Sequence, residues 1–476
     1  MTDAYYRFNT KLMRRKIFVL MLATMLAVST QAAEVTASQA MNIAQQFVNQ
    51  GSTKFRSGKG GALKLAYKAH STTGVPDYYV FTRGTDGGFV IVSGEDRVQP
   101  VWGYCDHGTF DYEKMPENVK WWFSEYQRQM QFLRDNPDVK PRTRVTLDNG
   151  IGPLMTTQWD QTRPFNDLCP EAPSANDKYL IYGGRACTGC AAVAMSQIMK
   201  YHQWPRKGSS SYSYECTVKY YDLETGQLVS DVMTLSTDLS LSPFDWSMMK
   251  DQYLYKDMNN YGYFDENMHI YIKIIDENGD TVPDVGNVYG NAVAKLISDV
   301  GITLKMQYGS CDIGSGAFIS NVYNSFRDFF DYTVKYYERD SWFGNWDTLI
   351  RSEVDAGRPL YYAGKGSGSH AFVIDGYDTE GRFHVNWGWG GDYDGYYETL
   401  ALNPGNHSYY TEHRVVFCTP NKPAVLYYDV DQDGMINVAD VTELIDLILN
   451  GGILYYTGNP ASIADVTDLI DYLLNQ

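Results

Sequence analysis

Cysteine is scarce. Only 7 of 476 residues are cysteine, at positions 105, 169, 187, 190, 216, 311 and 418. That excludes a scaffold held together mainly by disulfides, which small secreted domains need and a chain of this length does not. Basic residues are also in deficit, with 40 Lys and Arg against 57 Asp and Glu, a formal charge of −17. A broad polyphosphate-binding face needs concentrated Lys and Arg, so no nucleic-acid partner is expected. Beyond the first 30 residues no apolar run is long enough to span a bilayer, so no transmembrane segment is expected in the mature chain. The one strongly apolar run stands at the start. Arg14, Arg15 and Lys16 precede residues 17–28, and small residues follow through Ala32 and Ala33. This is the order of a secretory signal peptide. Residues 1–33 are assigned to it, with a secreted, cell-surface or periplasmic destination.

What is present has the composition of globular domains, 44% hydrophobic and 14% aromatic, with 39 Tyr. Residues 37–48 carry apolar positions at helical spacing. Residues 77–82 and 88–93 look like two strands of a hairpin turned by glycines. An amphipathic helix is expected over 115–133. Residues 135–152 are rich in Pro, Arg, Asp and Gly and include Lys140, Arg142 and Arg144. That is a linker signature and a natural place for proteolysis. From 153 to 420 an oily helix at 191–201 and a helix at 290–300 are followed by strands at 360–363, 371–374 and 383–386. Hairpins are expected over 212–232 and 268–282. Helices early and sheet late point to an α+β domain. Near the end, residues 439–450 and 464–475 match at nine of twelve positions, a repeat of two short amphipathic helices. The expected divisions are 34–146, 147–420 and 425–476.

An odd cysteine count leaves at least one thiol unpaired. Cys190 is the candidate nucleophile, because Thr188-Gly189-Cys190 opens the oily helix. The unpaired N–H groups and positive dipole end of a helix favour thiolate over thiol. Gly189 leaves room for a substrate backbone. Cys187 and Cys190 also form a C-x-x-C, but no second one exists to complete a zinc site. His370 follows a Gly/Ser loop at the mouth of an apolar strand, where one ring edge is free to act as base to a thiol. Asn386 lies on an expected return strand, where its amide would accept from one ring nitrogen, and Trp387 would shield that bond. The oxyanion donors of such an acyl-transfer site would be the Cys190 N–H and an upstream amide, Gln161 or its neighbour Gln158.

These segments resemble the C10 cysteine peptidases, the streptopain family of the papain-like superfamily. The matching pieces are Gln161-Thr-Arg-Pro-Phe-Asn166, Ala186-Cys-Thr-Gly-Cys-Ala191, Gln197-Ile-Met-Lys-Tyr-His202, Ser298-Asp-Val-Gly301, His370-Ala-Phe-Val-Ile-Asp-Gly376 and His384-Val-Asn-Trp-Gly-Trp-Gly-Gly391. Upstream, residues 88–97 resemble the family's pro-domain. The resemblance implies a papain-like catalytic domain and endopeptidase activity on protein or peptide substrates. It assigns Cys190 as nucleophile, His370 as base and Gln161 as oxyanion donor, with no cofactor for catalysis. It implies an inhibitory pro-domain, cut away between about 140 and 152, with self-processing by the enzyme as the expectation. Either Asn386 or Trp387 would sit against His370. A preference for an apolar residue two positions before the cut is also implied. Hairpins between 214 and 287 exceed the family pattern.

In the tail, Asp429, Asp431, Asp433, Asn437 and Asp440 put oxygen side chains at positions 1, 3, 5, 9 and 12 of a loop. Gly434 stands at position 6, and Met435 contributes only a carbonyl. That is calcium-loop spacing. With a helix following directly, it resembles a dockerin type I repeat, implying structural calcium and a cohesin-like partner; a purely stabilising tail is the alternative. The second copy has Leu454, Tyr456 and Gly458 at the three leading positions and is expected to lack the ion. Two other functions are weighed from residues alone. One is a different Cys–His acyl-transfer enzyme, such as a transglutaminase-like protein or an amidase. The other, a non-catalytic binding protein built from a decayed protease and a docking tail, is disfavoured because Cys190, His370, Asn386 and Gln161 are all present.

Overall fold

Thr36 and Gln39 exchange hydrogen bonds to open helix α1 (Ala37–Asn49): the Gln39 N–H donates to Thr36 Oγ1, and Gln39 Oε1 accepts from the Thr36 N–H. The computed structural model describes residues 34–49, 61–136, 146–177, 182–241, 243–254, 263–264, 270–276, 278–365, 369–399, 413–422, 428–431, 435–454 and 459–475. The signal segment and Lys140, Arg142 and Arg144 lie outside them. The chain forms two units. One takes residues up to 148 with 379–383 and 395–409, and the other takes the remainder.

In the first unit strands β1 (Leu63–His70), β2 (Pro76–Arg83), β3 (Phe89–Ser93) and β4 (Val101–Cys105) are neighbours in that order. The expected hairpin forms, with Tyr78 opposite Ser93 and Thr82 opposite Phe89. Strand β2 is buried on both faces, so it lacks polar–apolar alternation. Tyr79 and Phe81 join the core against Ala40 and Ala44 of α1. Tyr78 turns the other way, its ring 5.7 Å from Phe123 of α2 (Glu117–Asp135). Each such ring contributes about 1.5–3 kcal/mol by leaving water. A strand from far along the chain, Gly395–Tyr397, joins this sheet beside β4, with Tyr396 opposite Tyr104.

In the second unit, helix α3 (Cys190–His202) has nine consecutive buried residues, Ala191 to Met199. A helix apolar all round must be buried all round. It lies in the main core with Val293 and Ile297 of α4 (Val288–Thr303) and Val322 and Phe326 of α5 (Ile319–Phe329). The hairpin β5 (Ser211–Tyr221) and β6 (Leu228–Asp238) pairs over its whole length. Strands follow as β7 (Tyr332–Glu338), β8 (Leu360–Lys365), β9 (Ser369–Tyr377), β10 (Phe383–Asn386) and β11 (Arg414–Pro420), with α6 (Trp346–Asp355) before β8. Their order in the sheet is β10-β9-β8-β11-β7. Helices α3 to α5 thus precede the sheet and α6 falls within its strand sequence, a mixed arrangement of helix and sheet. The tail contributes α7 (Val438–Leu449) and α8 (Ile463–Leu474), which share a small core of Val430, Leu444, Leu454 and Leu469. Arg206 reaches this tail, donating to Asp431 O and Glu443 Oε2 at 3.0 Å each.

Candidate active site

Cys190 is the first residue of α3, preceded by Gly189 at φ 84°. A Cβ built on Gly189 would stand 2.8 Å from Ser315 O, so this position tolerates only glycine. Strand β9 is paired with β8 so that His370 faces Gly364 and Ala371 faces Ala363. The Ala371 N–H donates to the Cys190 sulfur at 3.4 Å. Cys190 and His370 therefore meet across one cleft of about 410 Å³, which also touches Ala317, Tyr323, Tyr361 and Arg414.

Five cysteines form no disulfide, and four of them, Cys105, Cys169, Cys216 and Cys418, are buried, whereas Cys190 is half-buried. Cys187 is bonded to Cys311, with 5.0 Å between their Cα atoms. The C-x-x-C is thus neither a zinc half-site nor a Cys187–Cys190 redox couple.

The electrostatics correct one expectation. A helix start should depress the thiol pKa, yet that of Cys190 is raised. Burial of the sulfur pushes it up by more than the backbone N–H groups of Ala371, Ala191 and Cys190 pull it down. At Cys190 burial thus favours thiol over thiolate.

Asn386 also differs from its expected role. Its Oδ1 accepts from Gln197 Nε2 at 2.9 Å and from the Gly388 N–H at 3.1 Å, while its Nδ2 donates to Thr157 O at 2.8 Å. Both lone pairs of that oxygen are occupied, so it is not the acceptor of an imidazole N–H. Asn386 instead knits β10 to α3 and to residue 157. Trp387 is fully buried, its Nε1 donating to Tyr393 O at 3.1 Å and its ring 4.8 Å from Phe372. Phe372 and His370 share a face of β9.

Gln161 is 6% exposed, and its carbonyl accepts from the Thr188 N–H at 3.1 Å, two residues before the sulfur. Gln158 packs instead against Gly391. Gln197 is fully buried two helical turns below Cys190, and sequence reasoning assigned it no role. It accepts from Thr157 Oγ1 at 2.8 Å while donating to Asn386. The signal was available: a lone amide in an otherwise apolar helix needs a buried partner.

Residues 159–397 match the model of the peptidase C10 family. The chain belongs to the peptidase C10 family. Ahead of this peptidase domain, residues 32–130 match the model named Spi protease inhibitor. Among C10 relatives, the thiol protease/hemagglutinin PrtT of Porphyromonas gingivalis is 32% identical over 413 residues, which is 83% of this chain but 42% of PrtT. Streptopain of Streptococcus pyogenes is 30% identical over 335 residues, 68% of this chain and 74% of streptopain. The chain therefore spans less than half of PrtT and about three quarters of streptopain. A fragment of prointerpain A from Prevotella intermedia, carrying a cysteine-to-alanine mutation, superposes with a TM-score of 0.54 at 28% identity, over 75% of this chain and 98% of that fragment. A cysteine-type C10 peptidase fold behind an inhibitor-type domain is thereby shown. Among the described residues no helix is long and apolar enough to cross a membrane.

Proposed function

We propose that this chain is a secreted cysteine endopeptidase made as a zymogen, which loses residues up to the 140–152 region on activation, by its own action. The observation that carries the reading is the meeting of Cys190 and His370 in one open cleft. His370 takes the thiol proton, and the Cys190 thiolate attacks the carbonyl carbon of a peptide bond. The Cys190 N–H and the Gln161 side chain hold the oxyanion. The departing amine leaves with the proton from His370, and water then hydrolyses the thioester. Trp387, packed on the His370 face of β9, is the residue that walls the imidazole from water. The raised thiol pKa suits a precursor, in which an ionised sulfur has no use.

Products separate this reading from the other acyl-transfer enzymes. Mature protein incubated with an unfolded protein should yield new N-termini by sequencing. Ammonia or cross-links without new N-termini would favour an amidase or a transglutaminase-like enzyme.

The tail is proposed to hold a structural calcium ion. Carboxylate oxygens of Asp429, Asp431 and Asp440 lie within 4.8 Å of one another, and Asp429 and Asp440 are almost completely buried. Like charges packed this closely and out of water are relieved by a cation between them or by a shared proton, and the calcium-loop spacing favours the cation. Oxygen donors suit a hard divalent ion, and Asp433, the Met435 carbonyl and Asn437 would complete the set; Asp433 lies outside the described residues. Asn437 and Asp440 also cap α7 reciprocally, so the ion and the helix start would be coupled. Position 1 of the second copy is Leu454, buried in the tail core, which fits a half without an ion. A cohesin-like partner is proposed only as the tail's docking target. Calcium should raise the tail's melting temperature, and Asp440→Asn should cancel the rise; a tail indifferent to chelator would remove the ion from the account.

A further inference from the structure

Resting on the peptidase reading, we infer that the Cys187–Cys311 disulfide is a positioning device for the substrate cleft. It fixes one wall of the cleft relative to the nucleophile and so sets substrate affinity and side-chain preference.

The disulfide joins two short segments that both lead into the site. Cys187 stands three residues before the nucleophile, on the strip whose Thr188 N–H bonds to Gln161 O. Cys311 lies in a closed loop. Gln307 and Gly316 exchange N–H···O bonds of 2.8 and 3.0 Å at its base. Within it, Ser310 O accepts from the N–H groups of Ile313 and Gly314 at 2.8 Å, and the Gly309 N–H donates to Ser315 Oγ at 3.0 Å. Immediately after this base, Gly316, Ala317 and Phe318 line the cleft beside Cys190. Displacing the loop therefore displaces the wall.

Further contacts show that the loop is bracketed rather than merely tethered. Asp312 accepts from Ser174 Oγ and, at 2.5 Å, from Asn176 Nδ2. Lys219 of β5 holds the other side, donating its N–H to Tyr308 O at 3.0 Å and accepting from the Ser310 N–H at 2.8 Å. Ser315 O lies so near Gly189 that no side chain fits there. Backbone, carboxylate and covalent bond thus converge on residues 309–316. The covalent bond is the strongest of them and anchors the loop three residues before the sulfur that reacts. None of these groups touches the scissile bond or carries a proton for it, so their loss should weaken binding before it slows chemistry.

Reduction opens this bracket in place. A phosphine takes the oxygen of one water and becomes its oxide, while Cys187 and Cys311 each become a thiol with one of the water's hydrogens. The mature wild type, with thiol content verified by mass, should be assayed before and after phosphine treatment, using peptides that carry Leu or Lys two residues before the cut. The same assay on the mature Cys187→Ser/Cys311→Ser enzyme avoids reductant altogether. The expected result in both is a rise in KM of about tenfold, kcat within about threefold, and a smaller Leu-over-Lys preference. The rate at which iodoacetamide alkylates Cys190 should stay unchanged, which a general loosening of the fold would not allow. Asp312→Ala should give a smaller KM rise with the disulfide intact. An oxidised enzyme and a reduced enzyme with the same KM and the same preference overturn the proposal while leaving the peptidase reading in place. Absence of peptide cleavage by the oxidised wild type overturns both.

Discussion

The two ends of helix α3 carry the same physical conflict with different outcomes for function. At its start Cys190 sits where helix dipole and free N–H groups favour the anion, and burial nevertheless keeps the thiol pKa high. At its end His202 sits where the dipole favours the cation, and burial, with Lys422 and Arg358 nearby, lowers its pKa to about 4. In both, desolvation outweighs the helix terminus, whose effect is about 0.3–2 kcal/mol. At the Cys190 end the opening also holds an imidazole, His370, that can take the thiol proton, whereas the opening at His202 holds Arg206, Asp245 and Lys422. His202 packs its ring on Tyr201 and Tyr332, and its Nε2 is buried with no hydrogen-bond partner among the described residues. A helix end thus supplies a bias; a catalytic group requires a partner from elsewhere in the fold.

The sharpest way to break this contrast is to remove the partner. His370→Ala should lower kcat/KM for peptide cleavage by about 10⁴-fold or more, with unfolding stability little changed. Retained cleavage would mean that Cys190 is activated by its helix alone. Next in size is the oxyanion amide: Gln161→Ala should cost about 10²–10³-fold in kcat with KM nearly constant, and a loss confined to KM would make Gln161 a binding residue.

The His202 end predicts a stability effect without a catalytic one. Its folded pKa lies below the usual histidine value of about 6.5, so the unfolded chain binds more protons and stability rises with pH between about 4 and 6.5. At most about 3 kcal/mol is at stake across that window. Denaturant unfolding of His202→Gln should show a flatter pH dependence there, with kcat unchanged at neutral pH. The smallest effect concerns the precursor's sulfur. Alkylation of Cys190 should accelerate about tenfold per pH unit up to a pKa above the usual ~8.5. A profile already flat at pH 7 would show that the precursor holds a thiolate.

Local features of the molecule were legible in its residues, whereas features assembled across the chain were less so. The Cys190 helix, the hairpin at 77–93 and the capped tail helices announce themselves by periodicity and cap residues within a dozen positions. The pairing of Cys187 with Cys311, 124 residues apart, has no local signal. Nor does the strand Gly395–Tyr397 that pairs with β4. Asn386 shows the limit most clearly. Its residue type and order after His370 suited an imidazole partner, but its amide oxygen was claimed by Gln197 and Gly388. The balance at Cys190 was equally hidden, because burial is a property of the packed core and cannot be read from the residues beside the sulfur.

The central claim is that one sulfur, that of Cys190, cleaves peptide bonds. Purified wild type and Cys190→Ala should each be incubated alone and with an unfolded protein, and the N-termini of every product sequenced. The wild type is predicted to shorten itself within 140–152 and to cut the added protein. Cys190→Ala is predicted to keep its full precursor length and leave the added protein whole. Cleavage by Cys190→Ala at a rate near that of the wild type would contradict the account.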